Sequence, residues 1–217
     1  MIVPSMTRRE IALHLLSEVR SNERRIKTKV TLVAKKMRKA KMKFHTYQQN
    51  VGFNTLFTIY IYGIDDKGID YAAGLWFRSE KGLCWVTSGQ LDDVVFYTDH
   101  FFDRYAERYL KKSVNVLEAA REFYKEFKPT ITRLTEKVTE GVYKVQLPLA
   151  IGGLALGFLD KNTNIIVYNT YVSTDTLYAQ QINDVEADRE LNEIIQTMDY
   201  SEWIMIGKTI KDDNNRI

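Results

Sequence analysis

Apolar positions along the first 50 residues follow a helical period. Ile11, Leu15, Leu16 and Val19 recur three or four apart, and neither proline nor glycine occurs between Pro4 and Gly52. Residues 6–43 are therefore predicted to be helical, with Ser21-Asn22 as the break between two helices. In the second, Ile26, Val30, Val33 and Met37 fall at i, i+4, i+7 and i+11, a stripe able to dock on another element. From Leu56 the period changes to two. Segments 56–62, 70–77 and 83–87 are rich in aromatic and β-branched residues and are separated by turn-like 63–68 and 78–82. They predict an antiparallel meander.

A short strand at 94–97 runs into a helix beginning near Asp99, and a second helix over 114–127 ends before Pro129. Strands follow at 142–147, 154–159 and 165–171, with Lys161-Asn162-Thr163-Asn164 as the last turn. Ser173-Thr174-Asp175 reads as the cap of a helix reaching Gln181, and a further helix is expected over 184–198. The fold class is α+β: mostly antiparallel β structure with helices packed on one side, preceded by a basic helical N-terminal segment. Three divisions are expected: the basic segment 1–45, an α+β domain 46–205, and a loose tail 206–217. The pattern also allows a sub-division of the α+β domain near residue 91, with the meander at 46–90.

Composition places the chain among globular proteins, since 45% of its residues are hydrophobic and 12% aromatic. The single cysteine, Cys84, cannot form an internal disulfide; it fits a reducing, cytoplasmic setting and reads as an inert thiol. The weakly polar run 147–159 is too short to span a bilayer and is interrupted by a proline and glycines, so no membrane association is expected. Charge changes the picture most. Residues 1–43 hold 13 Lys/Arg against 3 Asp/Glu, on a chain whose net charge is only +3. Such a segment contacts a polyanion or an acidic partner, and Arg24, Arg25, Lys35, Lys36 and Lys39 are its nucleic-acid-binding candidates. A solvated helix face is the ordinary alternative.

The chemistry-bearing stretch is Thr98-Asp99-His100-Phe101-Phe102-Asp103-Arg104-Tyr105-Ala106-Glu107-Arg108. His100, Arg104 and Arg108 are four apart, so on a helix they fall within an arc of about 80°, clear of Phe101, Phe102, Tyr105 and Tyr109. Thr98 or Asp99 is the expected N-cap, which leaves His100 in a first turn where backbone N–H groups favour an anion. An imidazole there can take the proton of a ribose 2′-OH, and two guanidiniums can stabilise charge building on the adjacent phosphate. That route needs neither metal nor cofactor, and none is expected. The three scattered histidines suggest no metal site. The competing explanation is a plain polar face on an amphipathic helix.

The order of elements adds to this. A strand leads into Thr-x-His-x-x-x-Arg-x-x-x-Arg on a helix, followed by a second helix and strands, the last ending in Asn169-Thr170-Tyr171. Over residues 93–181 this resembles the barnase–EndoU–colicin–RelE superfamily of metal-independent ribonucleases, particularly its toxin-like members. The resemblance implies an RNA-directed protein, with His100 as acid/base residue, Arg104 and Arg108 holding phosphate, and Thr170 beside them on the sheet. RNA and a protein inhibitor or other protein would be its partners. From a different class, the chain would be a non-catalytic interaction protein docking through its basic helix.

Among other features, Gly152-Gly153-Leu154-Ala155-Leu156-Gly157 lacks the Lys-Ser/Thr of a phosphate loop and reads as a bulged or closely packed strand. His14 reads as structural, and His45 as a helix-end residue. Tyr60, Tyr62, Tyr71, Trp76 and Trp85 are read as core-filling aromatics.

Overall fold

The computed structural model describes residues 2, 5–52, 55–64, 68–80, 82–88, 93–128, 132–149 and 152–177. Two helices come first, α1 (Arg8–Ser21) and α2 (Glu23–Ala40), separated at Asn22 as the sequence predicts. Thr7 and Glu10 close a capping box on α1: Thr7 Oγ1 accepts from the Glu10 N–H at 3.3 Å, and Glu10 Oε2 accepts from the Thr7 N–H at 2.7 Å. Five strands follow, β1 (His45–Gly52), β2 (Thr55–Ile64), β3 (Ile69–Ser79), β4 (Gly82–Ser88) and β5 (Val94–Tyr97). Next come α3 (Asp99–Tyr105), a π-helical turn (Ala106–Leu110) and α4 (Val116–Glu126). The last strands are β6 (Arg133–Thr139), β7 (Val142–Pro148), β8 (Leu154–Asp160) and β9 (Ile165–Val172).

Among the described residues nine strands form one sheet, in the order β1-β2-β3-β4-β5-β9-β8-β7-β6. The meander β1–β5 and the meander β6–β9 meet at its centre, where β5 and β9 pair in parallel; every other pairing is antiparallel. A parallel junction requires a crossover, and α3–α4 with the β6–β8 meander supply it. The fold is α+β. The early meander and the later strands are therefore parts of one sheet.

Alternation along the strands sorts the side chains to two faces. Trp76, Trp85, Val95, Tyr97, Ile166 and Tyr168 lie under α3 and α4 in one cluster. Leu75, Phe77, Val86, Phe96 and Val167 meet α1 on the opposite face, and Ile59, Ile61 and Ala73 meet α2. The stripe read from α2 does this: Ile26, Val30, Val33 and Met37 are each at most 8% exposed. The basic segment thus backs the sheet directly instead of standing apart from it. Under α3 and α4 the core is largely aromatic, and its polar tips are paired: Trp85 Nε1 donates to the Tyr124 hydroxyl at 2.9 Å and Trp76 Nε1 to that of Tyr60 at 3.2 Å.

Several expectations change. β1 and β6, the two edges of the sheet, are absent from the sequence reading, and His45 opens β1 instead of closing a helix. The helix expected from Ser173 to Gln181 is a single 3-10 turn, Thr174–Thr176, after which Leu177 is extended (φ −81, ψ 147). The remainder of that segment, the helix over 184–198 and the tail lie outside the described residues.

The glycine-rich run behaves as a packed turn and strand. Gly152 and Gly153 have φ of +91° and +104°, where L side chains are strained. A Cβ on Gly153 would also lie 2.5 Å from the Val172 carbonyl and 2.7 Å from the Tyr171 hydroxyl. Gly153→Ala is expected to destabilise the fold by about 1–3 kcal/mol, measured as a lowered urea midpoint with unchanged slope. An unchanged midpoint would contradict this packing.

Candidate functional site

The helix carrying His100 is held at its start by β9. Thr98 donates its N–H to the Tyr168 carbonyl at 3.2 Å and its hydroxyl to the Asn169 carbonyl at 3.3 Å. The same hydroxyl oxygen caps α3 by accepting from the Phe101 N–H at 3.3 Å. Phe101, Phe102 and Tyr105 are completely buried, which fixes the rotation of α3 and turns His100 and Arg104 away from the core. His100 is exposed and Arg104 and Arg108 are half-buried.

The two arginines are not equivalent. Arg104 Nη1 pairs with Glu107 Oε2 at 2.5 Å, an accessible pair of the kind worth at most about 1 kcal/mol. Arg108 follows the start of the π turn, whose i→i+5 bonding rotates it away from its α-helical position. Its Nη1 donates to the Tyr171 carbonyl at 2.7 Å, which braces the guanidinium against the end of β9 with one of its five N–H donors. Tyr109, next in sequence, stacks on Tyr105 with centroids 5.2 Å apart and is 36% exposed. An open depression of about 540 Å3 lies beside this helix, between Asp103, Glu107, Lys111 and Lys112; none of His100, Arg104 and Arg108 lines it.

Two expectations for this site fail. The first N–H groups of α3 are not left for an external anion, because Asp99 Oδ1 accepts from the His100 N–H at 2.7 Å and Thr98 takes that of Phe101. The other Asp99 oxygen packs over Gly82, whose φ of +127° and missing side chain leave room for it. Thr170 is not beside the arginines either. Leu156 pairs with Thr170 and Gly157 with Tyr168, so Asn169 is an extra residue that bulges β9. Past the bulge Tyr171, paired with Ala155, enters the α3–α4 core. Thr170, one residue earlier and paired with Leu156, consequently faces the other side of the sheet.

The basic candidates lie on that other side as well. Arg24, Arg25, Lys35, Lys36 and Lys39 are all exposed on α2, whose apolar stripe is spent on β2 and β3. Sequence reasoning missed what faces them. Arg25 Nη2 donates to Gln49 Oε1 at 3.1 Å, and Lys29 Nζ sits 4.2 Å from the centre of the Tyr47 ring. Both partners belong to β1, which carries too few apolar residues to stand out as a strand. His45, two residues before Tyr47, has its pKa lowered, first by burial and then by Arg121 of α4 and by Lys29 and Lys36 of α2.

Cys84 is half-buried, 3.7 Å from Ser79 Oγ, and burial pushes its thiol pKa up, against a role as nucleophile. Among the described residues no three His, Cys, Asp or Glu side chains group as metal ligands, and no helix is long and apolar enough to cross a membrane. No protein-family model, curated protein or solved structure matches the chain.

Proposed function

We propose that this chain is an RNA-directed protein, a metal-independent endoribonuclease of toxin-like type acting through His100, Arg104 and Arg108. The observation that carries the reading is that His100 and Arg104 lie on the accessible side of α3, with the opposite side locked into the core, while Arg108 follows in the π turn, braced on the Tyr171 carbonyl. His100 takes the proton of a ribose 2′-OH, the resulting oxyanion attacks the adjacent phosphorus, and the 5′-oxygen leaves with a proton from solvent. The products are a 2′,3′-cyclic phosphate and a 5′-hydroxyl. Arg108, braced on the Tyr171 carbonyl, presents its remaining donors to the phosphate oxygens, and Arg104 joins it by exchanging Glu107 for the phosphate as negative charge builds on it in the transition state. Thr170 has no part in this scheme.

A second reading, a non-catalytic protein docking through its basic helix, is favoured by one observation. The exposed cations of α2 lie across the sheet from His100, so they do not extend the same surface. Induced expression in a bacterial host separates the two. The ribonuclease reading predicts growth arrest with fragmented total RNA, relieved by His100→Ala at equal protein level. Normal growth with intact RNA, or arrest that His100→Ala leaves untouched and deletion of the exposed α2 charges removes, would favour docking.

A further inference from the structure

We infer that the seam where α2 lies along the edge strand β1 is a surface track for a single RNA strand, with Arg25, Lys29 and Lys36 on one side and His45, Tyr47 and Gln49 on the other. This rests on the reading of the protein as RNA-directed and gives the strand a surface separate from the His100 site. The juxtaposition is a ladder. Along α2, Arg25 meets Gln49 and Lys29 meets Tyr47, while Lys36 lies further toward the end of the helix where β1 begins at His45. The helix therefore runs antiparallel to the strand, and four-residue helical steps of about 6 Å keep pace with two-residue strand steps of about 6.6 Å. A repeating row of cations beside a repeating row of aromatic and hydrogen-bonding side chains suits a chain of phosphates bearing bases. Beyond this row, β1 is an edge strand whose outer backbone groups have no strand partner among the described residues.

An anionic bilayer fits less well. The apolar face of α2 is buried on the sheet, leaving Leu32 as the large hydrophobic residue exposed on that helix, too little to insert. A duplex fits less well because bases stacked inside it could not reach Tyr47.

Around His45 the facing charges are Lys29 and Lys36 from α2 and Arg121 from α4, all cationic. Together with burial they disfavour imidazolium in the free protein. A phosphate held on the track beside His45 offsets them and favours it, so binding takes up a proton and affinity rises as pH falls through the histidine range. Folding of the free protein depends on pH in the opposite sense. His45 binds its proton more readily unfolded than folded, so its contribution to stability is complete above the ordinary histidine pKa and is lost as pH drops below it.

The test measures fluorescence anisotropy with the full chain and a labelled 12-nucleotide 2′-O-methyl RNA, which binds as RNA but lacks the attacking hydroxyl. Arg25→Gln with Lys36→Gln is expected to weaken binding at least tenfold and to lower the salt slope by about 1.4, two single-strand phosphate contacts. His45→Gln is expected to flatten a several-fold rise in affinity between pH 8 and pH 5.5. Lys137→Gln, on β6 at the opposite edge of the sheet and outside both sites, is expected to leave the affinity within twofold. All variants are checked for an unchanged melting temperature. An affinity indifferent to the double substitution overturns the track, as does a pH dependence that survives His45→Gln or tighter binding of a duplex of the same sequence. Comparable binding of single-stranded DNA supports a phosphate-and-base track without 2′-hydroxyl recognition. Loss of binding in Arg104→Gln alone would refute the track and keep the His100 reading. Binding that depends on Arg25 and Lys36 in a protein that never cuts RNA would do the reverse, and absence of any binding would refute both.

Discussion

His100→Ala is expected to slow RNA cleavage by about 10²–10⁴-fold, the usual contribution of a positioned acid/base group, while leaving the melting temperature unchanged. The two halves of this result have different causes. The imidazole is exposed on a helix whose hold on the sheet runs through Thr98, Phe101, Phe102 and Tyr105. Removing it opens no cavity, and surface changes of this kind stay within about 0.5 kcal/mol. Arg108→Ala should behave differently. It removes the bond to the Tyr171 carbonyl as well as a phosphate ligand, so activity and stability fall together. Arg108→Lys keeps the charge but not the planar fork and should recover only part of the activity. The pair of variants thus separates a group that does chemistry from one that also holds the helix end.

Phe123→Ala is expected to cost about 3–5 kcal/mol, the range for deleting a buried aromatic ring. Phe123 is 1% exposed and is the hub of the core: its ring lies 5.2 to 6.0 Å, centre to centre, from those of Tyr97, Phe101, Phe102, Tyr105, Tyr124 and Phe127. These contacts tie α4 to α3 and both to β5 at the centre of the sheet. A chain of this size loses about 2–4 °C per kcal/mol, so thermal unfolding should come roughly 6–20 °C earlier. Tyr124→Phe, which leaves the buried Trp85 N–H without its acceptor, should cost less, about 1–3 kcal/mol. A Phe123→Ala protein that melted within 2 °C of wild type would contradict the packing described.

The elements legible in the sequence are those whose side chains must alternate between a buried and an exposed side. β2, β3, β4 and β5 announced themselves because helices cover one or both of their faces, and α2 because its stripe of four apolar residues docks on β2 and β3. β1 and β6 did not. An edge strand carries polar residues that discourage further pairing, and His45-Thr46-Tyr47-Gln48-Gln49-Asn50 and Arg133-Leu134-Thr135-Glu136-Lys137 show no apolar period. With β1 unseen, its partnership with α2 was unseen too.

The candidate site was readable as spacing but not as geometry. The separation of His100 and Arg104 from the buried rings follows from the helical period, and the structure agrees with it. Thr170 failed because one extra residue, Asn169, reverses the face of everything after it on β9, and no side-chain pattern marks such a bulge in advance. The π turn is equally silent in sequence, yet it sets where Arg108 points. Of the two expected N-caps Thr98 is the cap, and Asp99 is the first residue of α3, where its carboxylate satisfies an N–H expected to face a phosphate.

The most direct test is cleavage of an end-labelled, mixed-sequence RNA by the purified full chain in EDTA, beside His100→Ala at the same concentration. The account predicts fragments ending in 2′,3′-cyclic phosphate with wild type and uncut RNA with the variant. Equal cutting by both proteins, or RNA left intact by wild type, would contradict it.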